Sequence, residues 1–129
     1  MQDYKRLHVW ARAHAHNLEL RKACNRFPRT GFTALKSQMT TAAESIAFNI
    51  VEGCGASTNK EYARFLEISI KSAFELEYQL LLSRDYGVLA LAAWQDLSKE
   101  TVEIRKMLYG LRKTVLGASS GPEGPGAPL

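Results

Sequence analysis

The segment Gln38-Met39-Thr40-Thr41-Ala42-Ala43-Glu44-Ser45-Ile46-Ala47-Phe48-Asn49-Ile50-Val51-Glu52-Gly53 carries two interleaved stripes at helical spacing. Leu35, Met39, Ala42/Ala43, Ile46 and Ile50 recur every three or four residues, which marks one apolar helix face. Gln38, Thr41, Ser45, Asn49 and Glu52 recur with the same period, one residue out of step, and form a polar line beside it. Ser, Thr and Asn are mediocre helix formers because their side chains compete for backbone hydrogen bonds. Their alignment beside an apolar face predicts bonding to a neighbouring helix or subunit. Gln38, Ser45, Asn49 and Glu52 are therefore the candidate helix- or subunit-register residues. The plain alternative is a solvated helix edge.

Outward from this segment, every long stretch keeps a period near 3.5 and none alternates. In the first, Trp10, Ala13, Leu20, Cys24 and Phe27 form an inward line with Asn17 as its polar member; Phe27-Pro28 ends it, because proline pushes its predecessor out of the α region. The second helix is expected to start at Thr33 as N-cap and to stop at Gly53 as a left-handed C′ residue. Thr58 with Glu61 forms a capping box for a third helix. There Tyr62, Leu66, Ser69, Ala73, Leu76, Leu80 and Ser83 hold a/d spacing, and Gly87 closes it. A fourth helix starting between Ala90 and Ala93 carries Trp94, Leu97, Thr101, Ile104, Leu108, Leu111 and Val115 on one line. Four amphipathic helices with short connections predict an all-α, antiparallel up-down four-helix bundle over residues 1–116. Residues 117–129, mostly Gly, Pro, Ala and Ser, predict a flexible tail.

The 129-residue length suits one domain that needs neither disulfide nor metal to hold together. Cys24 and Cys54 form no CxxC or Cys/His cluster, which fits a reducing cytoplasm. The Met-Gln-Asp-Tyr-Lys-Arg start lacks the apolar core of a signal peptide, and no run reaches transmembrane length. A cytoplasmic protein without membrane contact is expected.

Little in the sequence points to catalysis. His14 and His16 stand two apart, on different helix faces, and cannot chelate one metal; these two and His8 read as surface histidines. Gly53-Cys54-Gly55 is too short for a phosphate loop and follows a helix, whereas such loops precede one. Ser45 and Glu52 have no suitable base a turn away. The Glu-x-x-His pattern of a di-iron bundle is absent. The expectation is a non-enzyme with no catalytic residue, metal or cofactor.

Charge is more informative. The formal +4 is concentrated at the two ends: residues 1–29 hold seven bases against two acids. Lys5, His8, Arg12, Glu19, Lys22, Arg26 and Arg29 fall on one stripe of the first segment, roughly opposite its core line. On the fourth, Lys99, Lys106 and Lys113 repeat every seven. Such ridges attract phosphate by counterion release without base specificity. Lys5, Arg12, Lys22, Arg26, Arg29, Lys106 and Lys113 are accordingly the candidate nucleic-acid contacts; a merely solvated charged face is the alternative. A ring of five copies would multiply the +4 fivefold and turn a mild patch into a strong field.

Leu7-His8-Val9-Trp10, Phe27-Pro28 seventeen residues after the Trp, Leu35, Gln38, Ala42-Ala43, Ser45-Ile46, Asn49-Ile50 and Glu52-Gly53 together resemble a four-helix-bundle family. Its members include proteins encoded in ribosomal-RNA intervening sequences. It is related to the accessory variability determinant of diversity-generating retroelements. The similarity runs from about Tyr4 to Val115 and includes Tyr62, Phe65-Leu66 and Glu75-Leu76-Glu77. The resemblance implies a homopentamer of antiparallel bundles that binds RNA or cDNA and docks a reverse transcriptase, with no catalysis of its own. It also places Gln38, Ser45, Asn49 and Glu52 on the family's polar line. Two departures stand out: Thr40 and Thr41 occupy positions where relatives often have Arg, and His16 and Arg21 replace large apolar residues, which predicts a loosely packed first helix. The rival from another class is an oligomeric scaffold that binds only protein.

Overall fold

The computed structural model describes residues 2–118. Asp3 accepts a hydrogen bond from the Lys5 backbone N–H at 3.0 Å and opens a single 3-10 turn, Tyr4–Arg6. Four helices follow: α1 (His8–Cys24), α2 (Thr33–Cys54), α3 (Asn59–Asp85) and α4 (Leu91–Ala118). Among the described residues there is no strand. Each helix packs on two neighbours, in the cycle α1–α2–α3–α4–α1. This is a four-helix bundle, with α2–α3 and α3–α4 as its most extensive interfaces.

The apolar lines meet at the centre. Leu20, Met39, Ile46, Ile50, Leu66, Leu76, Leu80, Ile104, Leu108 and Leu111 are fully buried. Each contributes roughly 1.5–3 kcal/mol by leaving water. Small polar residues at core positions each find an acceptor. Ser69 donates to the Ile46 carbonyl across α2–α3, and Ser83 reaches the Gln79 carbonyl at 2.8 Å. These hydroxyls let α3 lie close to α2 with their own polar atoms paired.

Several ends differ from expectation. α1 stops at Cys24, after which Arg26 and Phe27 donate to the Ala23 and Cys24 carbonyls at 3.1 Å. That tightening swings Phe27 into the core although it lies outside the helix. Thr33 is the first helical residue of α2, not its cap. The cap position is Phe32, at φ 58 in the left-handed region, behind Gly31 at φ 81. Left-handed backbone costs a Phe roughly 1–2 kcal/mol, and the ring of Phe32 rests on Tyr86 at 5.8 Å.

Gly53 is inside α2, which runs on to Cys54. Its reason is closeness: a Cβ there would lie 2.7 Å from Cδ1 of the buried Tyr62. By contrast Thr58 caps α3 as expected, accepting from Glu61 N–H at 3.1 Å. Gly87 closes α3 at φ 78, with Gly87 and Val88 N–H on the Arg84 and Ser83 carbonyls. The expected tail began at Gly117, but α4 continues through Ala118; the rest of that segment, 119–129, lies outside the described residues.

Candidate nucleic-acid interface

The basic stripe predicted for the first segment is divided by the fold. Lys5 belongs to the 3-10 turn, with its ammonium 5.9 Å from the Tyr4 ring centroid. Arg12 faces α4, where its guanidinium grips the Glu100 carboxylate through Nε, at 2.9 Å, and Nη2. This bidentate pairing keeps the Arg12 pKa above, and the Glu100 pKa below, its ordinary value. Arg12 is thus an inter-helix tie rather than a free cation. Lys22 is exposed and lies 3.3 Å from Glu19 one turn back. Arg26 and Arg29 leave α1 altogether and stand exposed on the α1–α2 connection. Among the described residues neither has an ion-pair partner.

The fourth helix shows a similar division. Arg105 donates to Glu77 at 2.6 Å and stacks over Phe74 at 4.4 Å, while Arg112 donates to the Ala63 carbonyl at 3.0 Å. Both tie α4 to α3. Lys106 and Lys113 point outward, exposed, with no ion pair among the described residues.

Two cations that sequence reasoning missed join Arg29. Arg21 and Lys36 line, with Cys24, Asn25, Phe27, Ser37 and Thr40, a recess of about 410 Å³ between the end of α1 and the start of α2. Only the turn that carries the chain from α1 to α2 unites them, so no periodicity within one helix reveals the group.

The polar line of α2 performs less inter-helix bonding than its alignment suggested. Among the described residues of this line Ser45 alone crosses, with its Oγ 2.8 Å from Ser72 Oγ on α3. Asn49 turns its amide back onto Ser45 of the same helix, at 2.8 Å to the carbonyl and 3.0 Å to Oγ. Gln38 and Glu52 are exposed and make no hydrogen bond to another helix among the described residues. Register between α2 and α3 therefore rests on Ser45–Ser72 and Ser69–Ile46. A second polar recess, of about 420 Å³, opens above this line between Gln38, Thr41, Ser45, Ser72, Glu75 and Gln79.

Residues 5–110 match the profile of the 23S rRNA-intervening sequence protein family. The chain belongs to that family. Among solved structures, a protein with unknown function from the S23 ribosomal protein family of Bacteroides thetaiotaomicron is similar at a TM-score of 0.74 and 20% identity, covering 81% of this chain and 95% of that one. At that identity the likeness shows the shared fold. No curated protein matches the chain.

Against this family frame, the departures in α1 and α2 acquire a physical reading. Thr40 sends its hydroxyl to the Lys36 and Ser37 carbonyls, both at 3.1 Å, and is spent on its own helix. Arg21 reaches Glu44 on α2 at 3.6 Å. His16 overturns the reading of it as a surface residue. It is buried, with Nε2 2.7 Å from Thr101 Oγ1 on α4, and burial holds its pKa below the ordinary value. His14, in contrast, is exposed and stacks on Trp10 at 5.2 Å. Among the described residues no three His, Cys, Asp or Glu side chains gather to hold a metal, and no helix is long and apolar enough to cross a membrane.

Proposed function

We propose that this family member is a non-enzymatic, homo-oligomeric nucleic-acid-binding protein that acts in the cytoplasm. The observation that carries the reading is the set of exposed cations with no carboxylate partner among the described residues: Arg26 and Arg29 at the α1–α2 turn, and Lys106 and Lys113 along α4. Lys22 and Lys5 extend the first group, while Arg12 drops out because Glu100 occupies it. Unpaired surface cations are the means by which a protein takes phosphates from their counterions, with affinity that falls steeply with salt.

In this reading the helices run up and down in antiparallel order, and five copies close a ring. The pairing of Ile46 with Ser69, Ser45 with Ser72 and Met39 with Ser83 supports the antiparallel order, since numbers fall along α2 as they rise along α3. Exposed Phe48, Phe74, Tyr78 and Tyr109 supply apolar surface for copies to cover. RNA or cDNA is the ligand. A reverse transcriptase of a diversity-generating retroelement is the protein partner to which the family resemblance points. The same exposed aromatics favour the second reading, a scaffold that binds only protein.

Replacing Lys22, Arg26 and Arg29 together by Gln tests the proposal. Affinity for single-stranded RNA should fall, and the slope of log K against log salt should flatten by about two units. An unchanged slope removes the assignment. RNA affinity that is absent even at low salt favours the scaffold.

A further inference from the structure

We infer that the recess between α1 and α2 is a binding pocket for a phosphomonoester dianion, such as the terminal phosphate of a nucleic-acid strand or of a mononucleotide. This deepens the nucleic-acid reading and rests on it only for the strand-end source. Arg21, Arg29 and Lys36 converge on the recess from the last turn of α1, the connection and the first turn of α2. No carboxylate lines it. Glu44 pairs with Arg21 at 3.6 Å, so three cations against that one paired carboxylate leave a surplus of two. Arg29 and Lys36 have no ion-pair partner among the described residues.

The charge matches the ligand class. A phosphomonoester carries about −1.5 to −2 near neutral pH, whereas each linkage within a strand carries one negative charge. Asn25 and Ser37 bring an amide and a hydroxyl to the same walls, and buried Cys24 and Phe27 close the floor. The cations act even through that floor: the fields of Lys36 and Arg21 pull the Cys24 thiol pKa down, against the larger upward effect of burial. The volume of about 410 Å³ is that of a small-molecule site and not of a groove for a duplex. The helix ends do not decide the matter. The negative end of α1 and the positive end of α2 both adjoin the recess, so their dipoles oppose and the side chains set the sign. The backbone between Arg29 at the rim and Lys36 turns through the left-handed pair Gly31-Phe32, which ends four residues before Lys36. Left-handed conformation at a Phe persists only where its surroundings over-determine it.

The experiment compares one short single-stranded RNA with a 5′-phosphate and with a 5′-hydroxyl, alongside adenosine monophosphate and adenosine, by calorimetry and fluorescence anisotropy on the full chain. The phosphorylated strand should bind about tenfold tighter than its hydroxyl twin. Adenosine monophosphate should bind where adenosine does not. Lys36→Gln should bring the ratio between the two strands close to one. Glu44→Gln, which frees Arg21, should tighten adenosine monophosphate roughly two- to fivefold. Equal affinity for both strands, with no binding of adenosine monophosphate, overturns the pocket while leaving general RNA binding intact. Binding of the mononucleotide but of neither strand retains the pocket and removes the RNA reading; silence throughout removes both.

Discussion

His16 on α1 and Thr101 on α4 are held in a single proton arrangement. The Thr101 hydroxyl has one hydrogen, and it goes to the Leu97 carbonyl at 2.7 Å. Thr101 Oγ1 can therefore only accept, and His16 must donate from Nε2 at 2.7 Å. The neutral imidazole is the Nε2–H tautomer. Thr101→Val leaves that buried donor without an acceptor and should cost about 1–3 kcal/mol in denaturant unfolding. A Val variant as stable as the parent would show that the bond carries no weight.

The same pair sets a pH dependence. Burial lowers the folded-state pKa of His16 below the 6.5 of an exposed histidine, despite the upward pull of Glu100 and Glu19 and with a further downward push from Arg12. In the window just below 6.5 the unfolded chain therefore binds a proton that the folded chain refuses, and stability rises with pH. The contribution is complete above 6.5 and is lost as pH falls toward the folded value. Glu100 behaves alike at lower pH: Arg12 depresses its pKa from 4.5, so that pair weakens only as pH drops below 4.5. Denaturant midpoints at pH 5.5 and 7.5 should differ in the parent and differ less in His16→Leu. Equal differences would assign the dependence to other groups.

Gly53→Ala separates two opposing rules. Helix propensity alone predicts a gain, at most about 1 kcal/mol in the last turn of α2, from removing a helical glycine. The new methyl, however, would sit 2.7 Å from Tyr62, whose ring is buried and whose hydroxyl donates to Gln2 Oε1 at 3.1 Å. Overpacking of that kind costs about 1–3 kcal/mol, so a net loss is expected. A higher melting temperature for the Ala variant would mean that Tyr62 moves aside freely.

These residues also show how far the sequence could be read. Apolar spacing specified the inward faces of α2, α3 and α4 because burial alone selects those positions, and Thr58 and Gly87 were legible because their capping chemistry is local. In α1 the same reasoning chose Asn17 and passed over His16, since a polar residue that finds a partner on another helix looks like a surface residue until the partner is known. Gly53 was read as a helix end because its true constraint, Tyr62, comes from the next helix. The basic stripe failed for the same reason. Its residues were treated as one helix, but Lys5, Arg26 and Arg29 lie outside α1, and Arg12 is held by Glu100 eighty-eight positions away.

Arg12→Gln tests that last distinction. The pair is partly exposed, at 42% and 31% for the two side chains, so its loss should cost under about 1 kcal/mol. RNA affinity and its salt slope should stay at the parent values, because no free cation disappears. The Lys106→Gln/Lys113→Gln double variant should instead flatten the slope by about one unit or more. A slope lost with Arg12 and kept without the two lysines would reverse the assignment.

Phe48 offers the sharpest test of self-association. It is 64% exposed on α2, one of several exposed aromatics that include Phe74 and Tyr78 on α3. A large aromatic side chain left in water supplies the apolar cover that a contact between copies uses. Phe48→Glu should leave helicity and melting of the single bundle nearly unchanged, because the side chain packs on nothing in its own core. The assembly should then fall to the mass of one chain in light scattering. A parent that is already monomeric at micromolar concentration, or a Glu variant of undiminished mass, would place the homo-oligomer contact elsewhere or remove it.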